Sequence, residues 1–177
     1  MTVVPALSDG VIILGQYTDA DIAAHLDGQD DEHRRQFSDP GHPDLTPAEV
    51  RSGFAWWARQ WETGGPVRTF AARDAAAGQL VGGCQLELPP GGPAQVSYWI
   101  SASQRRRGYA TRVLALLLQY ARSIGVAEVE APIAEDNPAS RRVSEGAGFR
   151  PAGRYTAHDG ARMIRYQATL TSSERPQ

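Results

Sequence analysis

Ser97-Tyr98-Trp99-Ile100-Ser101, then Ala102-Ser103-Gln104, then Arg105-Arg106-Arg107-Gly108-Tyr109-Ala110-Thr111: how this chain is read turns on this stretch. Its first part closes an alternating strand over Ala94–Ser101. Val96, Tyr98 and Ile100 share one face, and Gln95, Ser97 and Trp99 share the other. Its last part opens a helix from about Gly108 to Ile124, striped by Val113, Leu116, Leu117, Tyr120 and Ile124, with Gly125 placed to end it. The first turn of a helix leaves backbone N–H groups unpaired and partly positive, so an anion seated there meets several donors at once. Gly108 has no Cβ to hold a phosphate away. Arg105, Arg106 and Arg107 add guanidinium donors suited to phosphate oxygens. The loop therefore reads as a pyrophosphate cradle that does without lysine. A solvated arginine patch and a site for RNA phosphates are the alternatives these residues leave open.

Downstream, Val126–Ile133 reads as a strand, and Asn137-Pro138 opens a helix that stops at Gly146–Gly148. Asn137 is placed to cap that helix, and Ser140, one turn on, points to the same end. A hairpin around Asp159-Gly160 closes the chain, its last arm facing Ile164, Tyr166, Ala168 and Leu170 one way. Upstream, Val11–Leu14 reads as a strand, and Thr18 caps a short helix carrying Ile22 and Leu26. A second, polar helix is expected over Asp30–Phe37. Thr46-Pro47-Ala48-Glu49 is a capping box ahead of Val50, Phe54, Trp57 and Trp61 at helical spacing, and Gly64-Gly65 ends that helix. Val67–Arg73 and Gln79–Leu88 form a hairpin through Asp74–Gly78, with Gly82-Gly83 suggesting a bulge. The order β-α-α-β-β-β-α-β-α-β-β predicts an α+β domain with a mixed sheet.

At 177 residues, 41% hydrophobic and 21% charged, the chain suits one globular domain spanning residues 1–177. The Pro/Gly clusters at Ser38–Pro43, Gly64–Pro66 and Pro89–Pro93 punctuate that domain, and the polar tail Thr171–Gln177 is expected to fray. All 18 basic residues are Arg, which excludes a Schiff-base lysine and a P-loop lysine. Cys84 is the only cysteine, and His25, His33, His42 and His158 are scattered, so no metal is expected. No apolar run approaches the ~18 residues of a membrane span, and no basic leader precedes Asp9. A soluble cytoplasmic protein that binds no membrane is the expectation. The net charge of −2 gives no global drive toward nucleic acid. It hides a balance of −7 over Thr18–Val50 and +5 over Ser101–Arg165.

Two motifs now stand in order. Arg105-Arg106-Arg107-Gly108-Tyr109-Ala110 fits the form [Q/R]-x-x-G-x-[G/A], and Asn137, Ser140, Val143, Glu145, Gly148 and Phe149 fit N-x-x-S-x-x-V-x-E-x-x-G-F. In these the chain resembles the GNAT superfamily of N-acetyltransferases, most closely its ribosomal-protein N-terminal (RimJ/RimL-like) branch, clearly from about Val67 to Leu170. The resemblance implies a three-layer GNAT-like domain. Its cofactor-binding part would lie at about 94–150 and its acceptor-side helices at about 18–64. It implies acetyl-CoA as co-substrate, with backbone groups of Trp99, Ile100 and Ser101 and the side chain of Asn137 on the pantetheine arm. Arg105, Arg106, Arg107, Gly108, Tyr109, Ala110 and Thr111 would hold the pyrophosphate, and Ser140 would lie near the thioester sulfur. From its charge, Arg141, with Arg142, is assigned to the nucleotide end. Many relatives have Gly where Arg106 stands and Glu where Gln95 stands.

Acyl transfer to an amine needs a neutral nucleophile, a donor for the thioester oxygen and a proton for the leaving thiolate. A strand N–H near Trp99 or Ile100 is the expected donor, Ser140 the expected acid, and Glu87, through water, the expected base. Cys84 reads as a packing thiol. The acid-rich early region predicts a cationic acceptor: a small-molecule amine such as a polyamine or aminoglycoside, or a peptide N-terminus. An acyl-CoA sensor without turnover is the alternative that Gln95 favours. The protein is expected as a monomer or homodimer, with Met163–Leu170 as an edge strand.

Overall fold

The computed structural model describes residues 4–30 and 44–170. Its elements are β1 (Leu7–Ser8), β2 (Ile12–Gly15), α1 (Ile22–Asp27), α2 (Pro47–Thr63), β3 (Val67–Asp74), β4 (Leu80–Glu87), β5 (Ala94–Ile100), α3 (Tyr109–Ser123), β6 (Glu128–Ala134), α4 (Pro138–Gly146), β7 (Arg150–Thr156) and β8 (Arg162–Thr169). The eight strands form one sheet in the order β1-β2-β3-β4-β5-β6-β8-β7. Every neighbouring pair is antiparallel except β5 and β6. The expected α+β class and mixed, mostly antiparallel sheet are present. The two-residue β1 was not anticipated, because so short a strand shows no alternation. Most of the helix expected over Asp30–Phe37, the cluster Ser38–Pro43 and the tail 171–177 lie outside the described residues.

Local chemistry sets the helix ends. Thr46 Oγ1 accepts from the Glu49 N–H at 3.3 Å while Glu49 Oε2 accepts from the Thr46 N–H at 2.7 Å, the reciprocal box read from the sequence. Gly64 ends α2 in the left-handed region at φ 70°. α3 packs on one face of the sheet against β2, β4 and β5, and α1 and α2 pack on the other against β4 and β3, giving three layers. The main core joins Val113, Leu114, Leu117 and Tyr120 of α3 to Phe70, Leu86, Val96 and Ile100 of the sheet. A second cluster joins Tyr17, Ile22, Val50 and Phe54, with Trp57 and Trp99 packed against it. Ile124, counted in the α3 stripe, lies just past the helix end and is 43% exposed.

Two expectations about strands are corrected. β8 is not an edge: it lies between β6 and β7, and β7, exposed along its whole length, is the edge. The final hairpin folds back onto β6 through its second arm, which is the arm that carries the alternating apolar residues. The bulge falls beside the glycines, since Ala72 pairs with Gly82 and Arg73 with Leu80. Gly82 and Gly83 are glycines for want of space. A Cβ on Gly82 would lie 2.1 Å from the Trp99 carbonyl, and one on Gly83 would lie 1.9 Å from the Tyr17 hydroxyl and 2.8 Å from Trp99 Nε1.

Gly82→Ala should therefore destabilise the fold by about 1–3 kcal/mol, because β4 must move off β5. Gly53→Ala, in the middle of α2 with nothing within 4 Å of its built Cβ among the described residues, should stabilise it by about 0.5–1 kcal/mol. Urea unfolding of the two variants tests both signs.

Candidate active site

β5 and β6 are paired only at Ala94 with Val129 and Gln95 with Glu130. Beyond that point each strand keeps its other neighbour: β5 stays on β4 out to Ile100, and β6 stays on β8 out to Ala134. The two strands diverge and leave a gap. The Ser101 N–H points to β4, donating to the Val81 carbonyl at 3.0 Å. Backbone groups alternate in direction along a strand. Ile100 and Tyr98 therefore turn their N–H and C=O groups to the gap, while Trp99 and Ser101 turn theirs to β4. The Ile100 carbonyl confirms this, since it accepts from Arg105 Nε at 3.1 Å.

The gap opens into a cavity of about 510 Å³. Tyr98, Trp99 and Ile100 form one wall, and Gln104, Arg105, Arg106 and Gly108–Thr111 form the rim at the head of α3. Asn137, Ala139, Ser140, Arg142 and Val143 of α4 form the opposite wall. Gly108 precedes α3 at φ 80°, a conformation that favours glycine. Arg106 adopts φ 61° without that freedom, a strain at the rim of the cavity. Among the described residues, no Asp or Glu lines it.

Of the site residues expected from sequence, Trp99, Ile100, Arg105, Arg106, Gly108, Tyr109, Ala110, Thr111, Asn137, Ser140 and Arg142 meet at this cavity. Four do not line it. Ser101 is buried with its N–H committed to β4. Arg107 sits beside the Tyr109 hydroxyl and the Asp74 carboxylate. Arg141 faces the other way, donating to the Tyr166 hydroxyl at 3.3 Å, which in turn donates to Glu145 at 2.8 Å. Arg142 lines the cavity in its place, because neighbours on a helix point about 100° apart. Glu87 is exposed and pairs with Gln95, at the closed end of the gap, whereas the cavity lies at the Ile100 end of β5.

Within the rim, Arg105 is also structural: it bridges the Ile100 carbonyl and Asp30, whose carboxylate it meets at 2.8 Å and 3.0 Å. The Tyr109 hydroxyl donates to Asp74 at 2.6 Å, tying the head of α3 to the β3–β4 turn. On the far wall Asn137 Oδ1 accepts from the Ser140 N–H at 3.0 Å, the cap read from sequence. Tyr98 is the residue that reading missed. Its hydroxyl lies 3.0 Å from Ser140 Oγ. Strand alternation places it on the apolar face, and only the placement of α4 over that face reveals its polar contact. Cys84 is buried, and burial pushes its thiol well above the ordinary value, as befits a packing group.

The model of the acetyltransferase (GNAT) domain matches residues 12–150. The chain belongs to the GNAT family. Its domain is an acyl-CoA-dependent acetyltransferase domain, and the cavity lies within the matched residues. Solved structures sharing this GNAT fold include Mycobacterium smegmatis RimJ in complex with CoA-disulfide, at TM-score 0.80 and 22% identity over 97% of this chain and 89% of that one. The RimL ribosomal L7/L12 alpha-N-protein acetyltransferase shares it at TM-score 0.76 and 17% identity over 94% of both chains. So does yncA from Salmonella typhimurium with its cofactor acetyl-CoA, at TM-score 0.67 and 16% identity over 94% and 98%. No curated protein sequence matches this GNAT chain. No helix among its described residues is long and apolar enough to cross a membrane. No group of three or more His, Cys, Asp or Glu among them is placed to hold a metal ion.

Arg106→Gly should relieve the strained backbone of the rim. A left-handed non-glycine residue costs about 1–2 kcal/mol, partly offset by the greater freedom of an unfolded glycine. A net gain of roughly 0.5–1 kcal/mol is expected, read as a rise in melting temperature.

Proposed function

We propose that this GNAT protein transfers an acetyl group from acetyl-CoA to a primary amine, by direct attack in a ternary complex. One observation carries the reading: the unpaired edge of β5, the head of α3 and the buried Ser140 hydroxyl meet in one cavity. The residues present fit the co-substrate. Arg105, Arg106 and Arg142 line the cavity, no Asp or Glu among the described lining residues opposes a diphosphate, and the first turn of α3 lies at the rim. Arg106, Arg142 and the amides of Tyr109, Ala110 and Thr111 would hold the diphosphate. Asn137 and the peptide groups of Tyr98 would hold the pantetheine arm.

Bound acetyl-CoA supplies an acyl group already activated as a thioester. The Ile100 N–H, turned into the gap, donates to the carbonyl oxygen as it gains charge. Trp99, the other donor considered, spends its N–H toward β4. Ser140 Oγ–H protonates the departing sulfur. The amine loses its proton to water: no carboxylate is among the described lining residues, and Glu87 lies at the other end of β5.

The acceptor side is assigned to the opposite face of β4 and β5, where Gln85, Ser97 and Trp99 face α1 and α2. Residues 18–50 carry a balance of −7. Three of their acids are matched in the fold: Asp19 by Arg51 at 3.0 Å, Asp21 by Arg73, and Asp30 by Arg105. The attraction for a cationic acceptor is thus weaker than the sequence count suggests. A second reading, an acyl-CoA-binding module without turnover, is favoured by one observation: no carboxylate base is among the described lining residues.

Coenzyme A at about 100 times its Kd should stabilise the fold by about 2.7 kcal/mol, a rise of roughly 5–10 °C in melting temperature. A well-folded protein with no affinity for coenzyme A in calorimetry defeats the proposal. Thiol release from acetyl-CoA across an amine panel separates the enzyme from the binding module. Ser140→Ala should lower kcat roughly a hundredfold, with KM for acetyl-CoA within about twofold. Raised salt should increase KM for the amine more than KM for acetyl-CoA; equal effects would remove the cationic acceptor.

A further inference from the structure

Tyr98 is a half-buried titratable group of the cavity for which the scheme above has no role. Its hydroxyl lies 3.0 Å from Ser140 Oγ, and both residues line the cavity. Ser140 is held in place, 8% exposed, with its N–H on Asn137 Oδ1. A serine hydroxyl is a poor acid, and giving up its proton alone leaves an alkoxide. A phenol, with an ordinary value near 10, ionises far more readily. The better acid therefore stands directly behind the group nearest the leaving sulfur, one hydrogen bond away.

We propose, resting on the acetyltransferase reading, that Tyr98 is the positioning and relay residue that supplies the proton Ser140 delivers. As the amine nitrogen–carbon bond forms and the carbon–sulfur bond breaks, Ser140 Oγ–H gives its proton to sulfur and Tyr98 Oη–H gives its own to Ser140 Oγ. Ser140 ends neutral. The phenolate left on Tyr98 is reprotonated by the water that took the proton from the amine. Thioester and amine become thiol and amide, with no other reactant. Burial raises the affinity of Tyr98 for its proton and the Ser140 hydrogen bond draws it back, so the hydroxyl is protonated and able to donate at neutral pH. The charged residues that line the same cavity are Arg105, Arg106 and Arg142, with no Asp or Glu among the described lining residues.

Tyr98→Phe keeps the ring and its packing. It should lower kcat roughly tenfold to a hundredfold and leave KM for acetyl-CoA within about twofold, with the melting temperature little changed. Joined to Ser140→Ala it should lower kcat no further than Ser140→Ala does alone, because a relay is broken once; effects that multiply would overturn the proposal. A readout independent of turnover is fluorine NMR of the unliganded protein with difluorotyrosine at position 98. Ser140→Ala should raise the apparent pKa of that residue, since the hydrogen bond favouring the phenolate is lost. A titration that ignores Ser140→Ala would falsify the relay. Wild-type protein that binds coenzyme A but releases no thiol with any amine defeats the acetyltransferase reading, and the relay with it. Wild-type turnover matched in full by Tyr98→Phe defeats the relay alone.

Discussion

Two rungs of parallel pairing, Ala94 with Val129 and Gln95 with Glu130, join the halves of this sheet, and the strands then part. An unpaired strand edge in a protein interior is costly unless something satisfies it. Here β4 holds β5 and β8 holds β6, so both strands stay formed while the edges between them go unmatched. Pro132, two residues past the last rung, has no N–H to offer a third. The gap is thus bounded by structure on both sides and open between. The backbone of Tyr98 and Ile100 faces it, α3 starts at one end of it, and α4 closes its far wall.

The arginines show how a fold divides one charge type among several tasks. Arg105, Arg106 and Arg107 are adjacent, yet Arg105 braces the Ile100 carbonyl and Asp30 and Arg106 stands at the rim in a strained backbone. Arg107 turns to Tyr109 and Asp74. Arg141 and Arg142 part in the same way, one toward Tyr166 and one toward the cavity. The acidic early segment is likewise partly consumed by Arg51, Arg73 and Arg105. Charge counted along a sequence overstates the charge available to a ligand, because folding pairs it with partners distant in the chain.

Trp99 links the two sides of the sheet. Its backbone lies beside the gap, and its ring packs on the opposite face near His25, with ring centres 5.2 Å apart. Gly83 and Gly28 both make room for it: a Cβ on Gly28 would lie 2.6 Å from the indole. A single strand thereby lines the cavity on one side of the sheet and packs against α1 on the other.

Residue chemistry by itself settled the elements whose causes are local: the Thr46–Glu49 box, the Gly108 turn ahead of α3, the Asn137 cap that orients Ser140, and the alternation of β5. Each depends on residues within a few positions of one another. The sequence alone also placed eleven of the cavity residues, since one loop and one helix start carry most of them. Only the tertiary structure decided that Glu87 is remote, that Arg142 and not Arg141 faces the cavity, that β7 is the edge, and that Tyr98 meets Ser140. Those facts depend on strand register and on how α4 lies over the sheet. Residues 42 positions apart become neighbours through the packing of the whole core, which no local pattern of side chains encodes.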